Sequence, residues 1–79
     1  MSEMVEVDAR RLLCPMPVIR LQDRIESLPP GSEVRITCTD PGTQNDIPTW
    51  CRINGHSVVS ASQQQDDYIF LVRKGGNGN

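Results

Sequence analysis

A chain of 79 residues, 37% of them apolar and only three aromatic, makes one small domain. Folding buries roughly 60–65% of the unfolded surface at this length, too little to enclose a deep substrate cavity. Ten acidic residues against eight basic ones leave a formal charge of −2, which excludes a disordered charged tail and gives no bulk signal for direct nucleic-acid binding.

Met4-Val5-Glu6-Val7-Asp8 alternates apolar and polar residues, as a short half-buried strand does, and Ala9 to Leu13 then lead into Cys14. A helix is expected from about Pro17 to Ser27, because Val18, Leu21, Ile25 and Leu28 recur at helical spacing and Pro29-Pro30-Gly31 is a strong stop. Glu33 to Thr39 alternates again as a second strand, with Cys38 on its apolar face beside Val34 and Ile36. Asp40-Pro41-Gly42 is turn chemistry, followed by a second helix carrying Ile47, Trp50 and Cys51 on one side. Its cap is either Thr43, which places Pro48 in the second turn, or Asn45, which places Pro48 safely in the first. Gly55 closes that helix, His56 to Ser62 reads as a third strand, and Gln63 to Asp67 as a turn. Tyr68 to Arg73, apolar for five residues, is the fourth strand and the one expected to be most buried.

The order βαβαββ, with right-handed crossovers and a closing hairpin, predicts an α/β two-layer sandwich: a mixed four-stranded sheet with both helices on one face. Residues 1–74 form the domain and 75–79 a flexible tail. Met1 to Asp8 lack the basic patch and apolar run of a signal peptide, and no stretch approaches the ~20 apolar residues of a membrane span, so the expectation is a cytoplasmic, monomeric protein with no membrane partner.

The chemistry concentrates at Cys14-Pro15-Met16-Pro17. Proline fits the first turn of a helix, and the residue before it is pushed into extended geometry, so Cys14 reads as the residue capping the helix mouth. The unpaired N–H groups and aligned peptide dipoles there favour thiolate. A free thiol of pKa about 8.5 is roughly 3% ionised at pH 7; lowering it by about one unit gives roughly 24%. Arg10, Arg11, Arg20 and Arg24 add positive charge near the motif and are candidate docking residues for an acidic partner. Cys38 and Cys51 read as core residues, and three cysteines in this spacing fit neither a disulfide framework nor a metal site. His56 has no visible partner, and Asp40 and Asp46 read as turn and capping residues.

The chain resembles the TusA or SirA-like sulfur-carrier family from Val5 to Lys74. The resemblance rests on Asp8, Cys14 to Pro17, Asp40-Pro41, Asp46-Ile47 and the strand Tyr68 to Lys74. It implies that Cys14, supported by Pro15 and Pro17, accepts a sulfane sulfur as a persulfide from a donor such as a cysteine desulfurase or rhodanese and hands it to an acceptor protein. No cofactor or metal is implied. The family commonly has glycine three residues before the cysteine, where this chain has Arg11. A thiol-based redox regulator and a non-catalytic adaptor are the alternatives; the first expects a resolving cysteine within reach, the second tolerates loss of the thiol.

Overall fold

The computed structural model describes residues 4–13 and 15–75, so Cys14 and the tail from 76 to 79 lie outside the described residues. The elements are β1 (Met4–Ala9), α1 (Met16–Glu26), β2 (Glu33–Cys38), α2 (Thr43–Ile53), β3 (Ser57–Gln64) and β4 (Asp67–Arg73), the expected βαβαββ order. The four strands form one mixed sheet ordered β1-β2-β4-β3. β1 runs parallel to β2, and β4 runs antiparallel to both β2 and β3.

Strand periodicity builds the core. Val5, Val7 and Ala9 pair with Val34, Ile36 and Cys38, which pair in turn with Val72, Phe70 and Tyr68, so one face of three strands is apolar throughout. Pro17, Leu21 and Ile25 of α1 and Thr43, Ile47 and Cys51 of α2 are the buried helix residues that cover it. The α1 stripe thus begins at Pro17, while Val18 and Leu28 are only partly buried against its edge.

β4 is not buried on both sides as its apolar run suggested. Phe70 and Val72 face the helices, but Ile69 and Leu71 lie on the open face and are only half-buried, because both helices occupy the other layer. Leu71 sits there between Arg35 and Ser60, and the pairs Arg35–Glu6 and Arg73–Glu33 flank it.

Neither expected cap opens α2. Its N-cap is Gly42, and Thr43 is fully buried inside the first turn, its hydroxyl donating backwards to the Asp40 carbonyl at 2.7 Å. The Asp40 carboxylate instead accepts the Gly42 N–H at 3.0 Å, which fixes the turn. Pro48 therefore stands in the second turn and removes a backbone bond to Gln44, an exposed residue beside an open groove of about 290 Å³ where water can replace it. Gly55 ends α2 as expected. At φ 78° it donates to Arg52, and His56 donates to Cys51 at 2.8 Å, the two bonds of a Schellman motif.

β3 continues two residues beyond Ser62, to Gln64, so the hairpin turn is only Gln65 and Asp66, with Gln65 at φ 55°. Tight hairpins need a positive φ, usually advertised by glycine or asparagine; glutamine gives no such signal. Gly75, placed in the expected tail, is held: its N–H donates to Nδ1 of His56 at 2.9 Å. His56 thus has a partner, and its ring also lies 5.1 Å from that of Trp50.

Candidate functional site

The parallel ladder of β1 and β2 ends at Ala9 opposite Cys38, and the loop that leads to Cys14 leaves from this carboxyl end. Two side chains satisfy the next two backbone donors. Arg10 N–H donates to Asp8 Oδ1 at 3.1 Å, and Arg11 N–H crosses to Thr39 Oγ1 at 2.8 Å. Arg11 adopts φ 68°, the left-handed region that glycine enters freely and other residues avoid. Leu12 then packs against the core, and the Leu13 carbonyl accepts the Met16 N–H at 2.8 Å across the turn that opens α1.

The helix begins one residue earlier than expected. Pro15, at φ −97°, is the N-cap, Met16 the first helical residue and Pro17 the second, so the capping role foreseen for Cys14 belongs to its neighbour. Proline serves at both positions because neither needs a backbone donor in the first turn. Among the described residues no side-chain oxygen caps the helix. Cys14 itself, one residue outside the cap in sequence, lies outside the described residues.

The four arginines differ in what they are tied to. Arg10 is committed to Asp8 through Nε to Oδ1 at 3.0 Å and its terminal nitrogen to Oδ2 at 3.1 Å. These hydrogen bonds hold the Asp8 carboxyl down at about 2. Arg24 stands in the last turn of α1, about 12 Å along the axis from Met16, where its guanidinium donates to Ser27 Oγ. Arg11 and Arg20 are exposed and form no ion pair with any described residue. Arg11 also borders an open groove of about 540 Å³ with Thr39, Asp66 and Asp67.

Sequence reasoning missed the apolar surface around the motif. Leu13 is 75% exposed, Met16 42% and Ile19 41%. Met16 and Ile19 stand one turn apart on α1, off the buried stripe, and that mismatch with the helical period was the available signal. The other two cysteines are out of reach of solvent: Cys38 and Cys51 are fully buried, and desolvation pushes both thiols up to about 11. Among the described residues there is no cluster of three groups able to hold a metal ion, and no helix is long and apolar enough to cross a membrane.

A family profile described as Sulfurtransferase TusA matches residues 5–74, the span from β1 to the end of β4. The chain belongs to the TusA family. It is similar to the sulfur carrier protein TusA of Pseudomonas fluorescens, 40% identical over 68 residues that cover 86% of this chain and 82% of that one. It is 35% identical over 81 residues to the protein of the same name from Pseudomonas syringae pv. tomato, covering 94% and 96% of the two chains. Membership supports a sulfur-carrier role. It also gives meaning to the departure at Arg11: the glycine common in the TusA family at this place suits a left-handed backbone, and here arginine adopts it with Thr39 as partner.

Proposed function

We propose that this TusA-family chain carries sulfane sulfur as a persulfide on Cys14. The observation that carries the assignment is the fate of the other thiols: of three cysteines, Cys38 and Cys51 are sealed in the core and held protonated, which leaves Cys14 for exchange. The Cys14 thiolate attacks the outer sulfur of a donor persulfide, the donor's S–S bond breaks, and the donor leaves as thiolate. The proton lost from Cys14 returns to that thiolate, so nothing is oxidised overall. In the second transfer a thiolate of the acceptor attacks the outer sulfur of the Cys14 persulfide, the S–S bond breaks, and Cys14 leaves as thiolate. Pro15 and Pro17 fix the start of α1, and exposed Leu13, Met16 and Ile19 with Arg11 and Arg20 form the contact surface for donor and acceptor.

The donor is a cysteine desulfurase or a rhodanese, and the acceptor serves transfer-RNA thiolation, molybdenum-cofactor maturation or sulfur oxidation. The redox alternative lacks a resolving thiol, since both remaining cysteines are buried. To test the reading, a cysteine desulfurase is assayed for alanine formation with and without the chain. An acceptor relieves the enzyme of its persulfide, so wild type accelerates turnover and Cys14→Ser does not. Equal acceleration by Cys14→Ser overturns the assignment.

A further inference from the structure

We infer that Thr39 is a positioning residue for sulfur exchange, acting through the backbone of Arg11. The inference rests on the role proposed for Cys14. The β1–β2 ladder ends at Ala9 and Cys38, and beyond it the Thr39 hydroxyl is a tie that crosses to the Arg11 N–H, joining positions 28 residues apart in sequence. It meets the backbone where help is most needed, since Arg11 carries a side chain at φ 68°.

Thr39 is well placed to hold that turn because its own surroundings are fixed. Cys38 before it is fully buried and paired on both sides. Asp40 after it accepts the Gly42 N–H on its carboxylate and both the N–H and hydroxyl of Thr43 on its carbonyl. On the far side of Cys14, Met16 is tied to Leu13, so the chain approaching and leaving the cysteine is anchored at Arg11 and at Met16. Removing the Thr39 acceptor frees the first anchor alone.

The test is the pH profile of alkylation at Cys14 in wild type, Thr39→Val and Thr39→Ser, with the labelled cysteines counted by mass spectrometry. Labelling confined to one thiol shows that Cys38 and Cys51 remain buried and the fold is intact. Thr39→Val is expected to raise the midpoint by about half a unit and slow alkylation at pH 7 about threefold, while Thr39→Ser, which keeps the acceptor, stays at wild type. In an Arg11→Gly background the valine effect shrinks, because glycine takes the left-handed conformation unaided. If Thr39→Val labels all three cysteines, Thr39→Ala replaces it in the same comparison. A wild-type profile for Thr39→Val, a serine variant that behaves like valine, or an undiminished effect in the glycine background each overturns the inference. Alkylation does not involve sulfur donors, so this outcome is separate from whether Cys14 loads sulfur.

Discussion

Asp8 holds the turn into the motif loop, and it does so as a charged group. Its folded-state pKa of about 2 lies below the ordinary 3.8 because the Arg10 side chain and backbone donate to the carboxylate. A depressed carboxylate contributes stability that is present above the ordinary value and is lost as pH falls towards the folded one. Between about pH 4 and pH 2, then, wild type should lose more of its urea stability than Asp8→Asn, whose amide oxygen still accepts the Arg10 N–H but does not titrate. Parallel losses in the two proteins would show that the pairing does not contribute. Asp8 was legible in the sequence only as part of a family pattern, since an acid ending a strand does not announce which backbone donor it will accept. Thr39 was less legible still, because its partner is 28 positions away and hydroxyls at strand ends are usually solvated.

Element boundaries show what local pattern can and cannot reveal. Alternation located β1 and β2 within a residue, and helical spacing located α1 within one residue at each end. The start of α2 was missed because the Asp40 carboxylate, not a hydroxyl or amide inside the helix, organises the preceding turn, and Thr43 was needed in the core. Gly75 was misplaced for a related reason: it looks like tail composition, yet it packs at a crossing. A β carbon on Gly75 would stand 2.0 Å from the Gly55 carbonyl oxygen, which belongs to the rigid α2 cap. Lys74 beside it donates from Nζ to the Leu28 carbonyl at 2.6 Å and pairs its backbone with Ser32 and Gly31. Gly75→Ala should therefore cost about 1–3 kcal/mol in chemical denaturation, the range for inserting a methyl into a packed site. Gly31→Ala, with φ +86° but open space around it, should cost less. An unchanged midpoint for Gly75→Ala would mean that the chain end peels away without consequence.

At the scale of the whole molecule, the fold seals Cys38 and Cys51 in a two-layer core, and the chain that leaves the carboxyl end of β1 reaches exposed Leu13 before α1, on which Met16 and Ile19 are exposed as well. A domain this small needs no cavity for such work, since the partner supplies the second reacting group. The class and order of elements were readable because each apolar period matched one layer. The open face of β4 was not, because a continuous apolar run does not say how many layers will cover it. The most direct test is intact-mass analysis after incubation with a small-molecule persulfide donor, followed by peptide mapping, for wild type, Cys14→Ser, Cys38→Ser and Cys51→Ser. The account predicts a gain of one sulfur on the peptide containing Cys14 in wild type and in the two core variants, and none in Cys14→Ser. Loading of Cys14→Ser to the wild-type extent, or a sulfur mapped to Cys38 or Cys51, would contradict it.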